Sequence, residues 1–371
     1  MEPVKPKPAK TEPQKTGPQK MEPVKTAIVG LGRIASLLED DRLREKPCTH
    51  AGAVAANPGL ELAAGSDYDE ERRELFARRW KVPVYADAAS MLAREKPGIL
   101  IIATHPDSHE SYCRLAAEAG VPVAVSEKPL AAKLSSARRI AELHRAGKIK
   151  ILVNHERRYS ADYQKARAML NGLGRILSVR ALLCMGLRRR LIDVLWHDGT
   201  HLADAAMFLS GAELRLQKIW GGALRAREGT AFLLGSLRPP KGNLARLSGQ
   251  DAARSSGQNT ARLSEKGVPF LMEIGAERDH LVFELEFSCE RGRLRIGNRV
   301  FEVWESGPSP YAEGFNSLKK TDDAFAGPTG YFANMIADAL ACYRDREREP
   351  LSSALDGYRA IMFLHSAGRW T

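Results

Sequence analysis

The run Gly30-Leu31-Gly32-Arg33-Ile34-Ala35 reads GxGxxA, a spacing suited to anion binding. Gly30 permits a tight turn, Gly32 lets backbone approach a pyrophosphate, and Ala35 lets a helix pack closely on a strand. The run follows the apolar segment Thr26–Gly30 and is expected to open a helix whose N-terminus receives the phosphates. Gly30, Gly32, Arg33 and Ile34 are therefore cofactor-binding candidates. Asp67 is placed to accept from a ribose 2′-hydroxyl and to repel a 2′-phosphate, so NAD is favoured over NADP. It lies farther along than the usual interval of about 20 residues, the excess being a helix extension or loop over 38–50. Asp67 also has a bland reading, as the cap of the helix that follows.

These residues need a scaffold. Short apolar runs at Thr26–Gly30, Glu61–Ala64, Ile99–Ala103, Val121–Val125 and Ile149–Val153 alternate with helical stretches such as Ser108–Ala119 and Ser135–Ala146. That rhythm predicts a parallel sheet with right-handed crossovers, covered on both faces. From about residue 155 the pattern changes. Helices are expected at Ala161–Leu170 and Gly199–Leu209, with strands at Ile176–Leu183, Arg215–Trp220, Thr230–Leu234, Phe270–Ala276, Leu281–Ser288, Arg293–Ile296 and Val300–Trp304. Helices at Tyr331–Tyr343 and Leu351–His365 close the chain. The expected organisation is a Pro/Lys-rich disordered tail over 1–24, a dinucleotide-binding domain over 25–153 and a second domain over 154–371. Residues 237–268 are rich in Gly, Ser and Arg and are expected to form a long loop.

Ser126-Glu127-Lys128-Pro129-Leu130 ends a strand. THPDSH (Thr104–His109) precedes it, and NHERRY (Asn154–Tyr159), HDGTHLAD (His197–Asp204) and FELEFSCERGRLRI (Phe283–Ile296) follow it. Taken in order, these motifs resemble the Gfo/Idh/MocA family of oxidoreductases from about Thr26 to the C-terminus. The resemblance implies an α/β fold. An N-terminal Rossmann NAD(P)-binding domain would precede a C-terminal α+β domain with an open, mainly antiparallel sheet. It also implies hydride transfer on a hydroxyl or carbonyl of a sugar, cyclitol or related small molecule, and self-association as a dimer or tetramer through the open sheet.

Lys128 sits where parallel sheets place their ligands, and its ammonium can polarise a substrate oxygen. Glu127 would orient that loop, and Thr104, Pro106 and His109 would frame the nicotinamide, although His109 could equally cap or pack. In the family the histidine at the position of His201 moves the proton, a task suited to imidazole near neutral pH. The family's acidic residue four positions earlier is here His197, which becomes a substrate contact. Asp198 is expected to point elsewhere, and Asp204 to buttress His201 or simply to be polar. Arg158 would either contact substrate or lock the domains together. Arg188, Arg189 and Arg190 could face the pocket and grip an anionic substrate, or form a solvated edge.

Length and composition narrow the alternatives. The 371 residues allow two domains, and 44% hydrophobic with 27% charged residues is ordinary for a soluble protein. No apolar run is long enough for a membrane span, and no apolar core of a signal peptide follows the first lysines, so a cytoplasmic location is expected. The five cysteines form no CxxC pair, and no metal site is expected. Six lysines and three glutamates in residues 1–25 give +3 of the +11 net charge. The remainder is dispersed, without the basic helix that nucleic-acid binding would need. Two competing functions share this scaffold: an NAD-retaining glycosidase, and a non-catalytic NAD-binding regulatory protein.

Overall fold

The structure, a computed structural model, describes residues 22–185, 189–240, 263 and 267–368. Most of the expected tail, and of the expected loop over 237–268, lies outside those residues. At their edges the expectations need correcting. Val24 already belongs to a strand, Leu237 and Arg238 extend another, and Val268 begins a third.

The first sheet contains β1 (Val24–Val29), β2 (Leu60–Ser66), β3 (Val84–Tyr85), β4 (Ile99–Ile102), β5 (Val123–Ser126) and β6 (Lys150–Val153). All its pairs are parallel, in the order β3-β2-β1-β4-β5-β6. The strand order reverses between β1 and β4, which in open α/β sheets marks the ligand crevice at the carboxyl edge. β1, β4 and β5 are apolar through most of their length because both faces are covered. On one face Ile28, Ile99, Ile101 and Val125 pack with Phe332, Met335 and Ile336. On the other, Val29, Leu100, Ile102 and Ala124 join the core that runs into the second sheet.

The covering helices of the first half are α1 (His50–Ala55), α2 (Glu70–Trp80), α3 (Ala88–Glu95), α4 (His109–Glu118) and α5 (Leu134–Arg145). The glycine motif does not open the expected helix. Ser36 N bonds Gly32 O at 3.1 Å, closing one turn, and a 3₁₀ turn at Leu37–Asp40 follows. The chain then loops to α1. Thr49 caps α1, accepting from Gly52 N, while Glu39 accepts from the Thr49 hydroxyl at 2.6 Å. The regular helix is thus displaced past the inserted segment and tied back to the motif by His50 N→Ile34 O and Ala51 N→Ala35 O.

The helical segments α6 (Glu156–Tyr159), α7 (Ala161–Gly172), α8 (Leu191–Val194) and α9 (Thr200–Ser210) lead into and through the second half. A π-turn over Leu195–Gly199 joins α8 to α9. The second sheet has β7 (Ile176–Met185), β8 (Glu213–Gly221), β9 (Thr230–Arg238), β10 (Val268–Ala276), β11 (Val282–Cys289), β12 (Gly292–Gly297), β13 (Val300–Pro308) and β14 (Asn316–Lys320). Their order is β14-β13-β12-β11-β7-β10-β9-β8, antiparallel except between β7 and β10. β11 alternates strictly: Phe283, Leu285 and Phe287 are buried, while Glu284 and Glu286 face outward. That outer face carries an ion-pair grid of Arg295 with Glu284 and Glu302, Lys320 with Glu302, and Arg293 with Glu286. The last helices are α10 (Tyr331–Arg344) and α11 (Ala354–Gly368). α10 returns to cover the first sheet, and α11 packs on α5 and α9. Neither β3 nor β14 was expected: β3 has two residues, and β14 (NSLKK) is a polar edge strand without an apolar run.

Candidate active site

The candidate residues gather at the carboxyl ends of five parallel strands: Gly30 after β1, Asp67 after β2, Thr104 after β4, Lys128 after β5 and Asn154 after β6. Gly30 has φ of +86°, and a Cβ there would meet Ala103 O at 2.7 Å, so the turn requires glycine. A Cβ on Gly32 would have only Arg72 Nη1, at 3.8 Å, within 4 Å. Backbone at Gly32 is therefore approachable, as a pyrophosphate requires. Arg33 is exposed and Ile34 half-buried on this turn.

Asp67 is 5% exposed, and its carboxylate accepts from Leu31 N at 2.8 Å and Asp69 N at 3.0 Å. It therefore positions the glycine loop itself. Asp69, not Asp67, caps α2 by accepting from Arg72 N. Arg72 Nη1 lies 3.8 Å from Asp67 Oδ2. The glycine loop, its open backbone and the adjoining acid fit a dinucleotide. The long helix of the common motif is replaced by a single turn.

His109 is fully buried, its ring nitrogens 3.2 Å from Leu130 O and 3.0 Å from Thr104 O. Its ring props the loops that follow β4 and β5, which leaves the packing reading of this residue. Thr104 accepts from the Ser108 hydroxyl at 2.8 Å, and Pro106 is half-buried on the same turn. Glu127 is held on three sides. Oε1 meets His50 Nε2 at 2.7 Å and Asn154 Nδ2 at 2.6 Å, while Oε2 accepts from Lys128 N at 3.2 Å. Burial alone would push its pKa up, but His50, Asn154 and the Lys128 charge outweigh it and hold the carboxyl at about 2. The Lys128–Pro129 bond is cis, and Lys128 Nζ donates to His197 O at 2.9 Å.

That bond joins Lys128 to the π-turn leading into His201. His201 is 8% exposed, and its Nδ1 is buried without a hydrogen-bond partner within the chain. Burial, reinforced by the charges of Lys128 and Arg157, holds its pKa well below the ordinary histidine value. The imidazole is thus neutral at pH 7. The His197 side chain is 65% exposed and pairs with Asp198 at 3.0 Å, while Asp198 Oδ2 is buried without a partner.

Of the two expectations for Arg158, the geometry favours the lock. Its guanidinium forks onto Asp204 at 2.9–3.1 Å, lies 3.2 Å from Asp356 and donates to Leu351 O. Asp204 also takes His155 Nδ1 at 3.1 Å, so it supports this clamp and not His201. Arg189 and Arg190 are exposed, and Arg190 pairs with Asp193. Arg188 lies outside the described residues. Sequence reading missed His50, Arg72 and Arg157. His50 meets a partner 77 positions away, which no local pattern could reveal. Arg72, one turn into α2, could have been found by counting back to Asp67 along the helix.

Residues 24–155 match the Gfo/Idh/MocA sequence model, described as an oxidoreductase family with an NAD-binding Rossmann fold. D-apiose dehydrogenase of Paraburkholderia graminis is 33% identical over 171 residues, 43% of this chain and 45% of that enzyme. Inositol 2-dehydrogenase of Pseudomonas fluorescens is 32% identical over 121 residues, covering 32% and 35%. The chain thus spans less than half the length of either relative. UDP-N-acetylglucosamine 3-dehydrogenase from Acidithiobacillus ferrooxidans superposes with a TM-score of 0.67 at 17% identity, covering 93% of this chain and 97% of that one. A dehydrogenase from Chromobacterium violaceum gives 0.68 at 14%, covering 94% and 95%. These likenesses carry the fold across both sheets. No helix among the described residues is long and apolar enough to cross a membrane. Over its first sheet the chain is thus similar in sequence to the Gfo/Idh/MocA oxidoreductase family, and its two-sheet architecture is shared with the solved dehydrogenases.

Proposed function

We propose that this protein is an NAD-dependent dehydrogenase or reductase acting on a hydroxyl or carbonyl of a sugar, cyclitol or related small molecule. One observation supports the reading: Lys128 Nζ donates to His197 O, on the turn that leads into His201, and the Lys128 charge acts on the buried His201 imidazole. When bound, the nicotinamide supplies the hydride chemistry. The turn at Gly30 and Gly32 receives the pyrophosphate, flanked by Arg33 and Ile34, and Asp67 accepts from the ribose diol. Thr104 and Pro106 border the nicotinamide side. Glu127, clamped by His50 and Asn154, fixes the backbone of Lys128. Lys128 donates to the substrate oxygen. His201 takes the hydroxyl proton during oxidation and returns it during reduction, as a neutral imidazole can.

NAD is preferred over NADP in this reading because the Asp67 carboxylate disfavours a 2′-phosphate, Arg72 offsetting only part of that charge. Fluorescence titration tests it. NADH should bind more tightly than NADPH. Tighter NADPH binding would overturn the NAD assignment, and failure to bind either would overturn the dehydrogenase reading. Self-association is assigned to the uncovered face of the second sheet, whose ion-pair grid presents charges of both signs. Sedimentation should show a dimer or tetramer, and a monomer at micromolar concentration would remove that assignment.

A further inference from the structure

We infer that Arg157 is the residue that recognises an acidic group, a carboxylate or phosphate, on the substrate of this site. The inference rests on the dehydrogenase reading above and deepens it.

Arg157 and His201 meet on one aromatic ring. The guanidinium carbon of Arg157 stands 4.8 Å from the centroid of Phe283, and the His201 ring stands edge-on to Phe283 at 6.4 Å. Phe283 lies on the inner face of β11, so the pair is set over the second sheet. Arg157 is held there by one bond, Nη2 to Asn298 Oδ1 at 2.9 Å, and Asn298 is itself fixed by N→Phe283 O at 3.0 Å.

What distinguishes Arg157 is what it lacks. Its side chain is 20% exposed, and its Nε is buried with no hydrogen-bond partner within the chain. Its one ion-pair partner among the described residues is Glu156, at 3.7 Å, too far for a hydrogen bond. A desolvated guanidinium normally finds a hydrogen-bonded counter-ion, because burying a charge without one is costly. Two neighbours of Arg157 also hold buried polar atoms without partners in the chain, His201 Nδ1 and Tyr163 Oη. Arg157 and Lys128 also both depress the pKa of His201 by their charge, so two cations act on one neutral imidazole. An anionic substituent would balance that excess and could accept two parallel bonds from the guanidinium fork. The anionic-substrate expectation attached to Arg188–Arg190 thereby moves to Arg157.

Matched acidic and neutral ligands test this: D-gluconate against D-glucitol, D-glucuronate against D-glucose, and glucose 6-phosphate against glucose. Calorimetry is run on the full chain with and without NADH. At least one acid should bind wild type about tenfold or more tightly than its neutral partner, the scale of a charge-assisted hydrogen bond. Arg157→Gln should reduce that preference to within about twofold, and Arg157→Lys should retain part of it, with NADH affinity unchanged in both. No preference for any acid in wild type, or a preference that survives Arg157→Gln, would overturn the assignment. If Arg157→Gln fails to fold, wild type and Arg157→Lys still decide it. Failure of NADH to bind wild type would count against the dehydrogenase reading alone, since the acid–neutral comparison stands without cofactor.

Discussion

Arg157 and Arg158 are consecutive, yet they are paired in opposite ways. Arg158 is saturated by Asp204, Asp356 and a backbone carbonyl, and His155 completes the cluster. Arg157 shares a ring with His201 and keeps a buried donor unpaired. A charge whose donors are all taken fixes geometry, whereas a charge left partly uncompensated is available to a ligand. The Arg158 cluster, anchored on Asp204 three residues beyond His201, therefore holds α9 in place.

The largest expected effect breaks the Arg158 cluster. Asp204→Ala should destabilise the fold by about 3–5 kcal/mol, because it strips Arg158 and His155 of their shared carboxylate. Arg157→Gln should cost about 1 kcal/mol, the scale of one ordinary hydrogen bond. Urea unfolding compares them, and equal losses would erase the distinction between the two arginines. Next come the groups proposed for the chemistry. Lys128→Ala and His201→Ala should each lower turnover by at least about 10²-fold while NADH affinity stays near wild type. Wild-type kcat in either variant would remove that residue from the chemistry.

A smaller effect sharpens the cofactor side. Asp67→Ala should weaken NAD binding by about 1–3 kcal/mol, measured by calorimetry. Part of that loss would come from the glycine loop, since Leu31 N loses its acceptor. Acid stability separates the support of Lys128 from the site itself. The folded pKa of Glu127 is about 2 against an ordinary 4.5. Its ionised form therefore contributes stability that is fully present above about pH 4.5 and is lost as pH falls towards 2. Glu127→Gln should flatten the stability–pH slope over that window, and an unchanged slope would contradict the clamp by His50 and Asn154. The smallest effect belongs to His197→Asp. Because the imidazole is exposed and only its backbone carbonyl meets Lys128, kcat/KM should change by no more than about a few fold.

How much of this was legible in the sequence depends on range. Strand-following motifs were readable because a parallel sheet delivers the end of each strand to one edge, so GLGRIA, Asp67 and EKPL fell together once alternation was recognised. The missing helix after GLGRIA was not readable. The inserted segment before His50 has strong local polarity but no period, and its turn is settled by the tie from α1 back to Ile34 and Ala35. The jobs of Arg157 and Arg158 were equally hidden. Neighbouring positions on a short helical segment point different ways, and only the packing of α9 and α11 decides which one meets Asp204. His50 and Glu127 illustrate the limit: two polar residues far apart in sequence form one buried pair that only the fold brings together.

The most direct test of the dehydrogenase assignment is absorbance at the NADH band while wild-type protein is incubated with NAD and a panel of sugars, sugar acids, cyclitols, nucleotide sugars and glycosides. The account predicts that NADH accumulates with at least one hydroxyl substrate, and that Lys128→Ala abolishes the signal on that compound. Cleavage of a glycoside without NADH accumulation, or no absorbance change with any member of the panel, would contradict it.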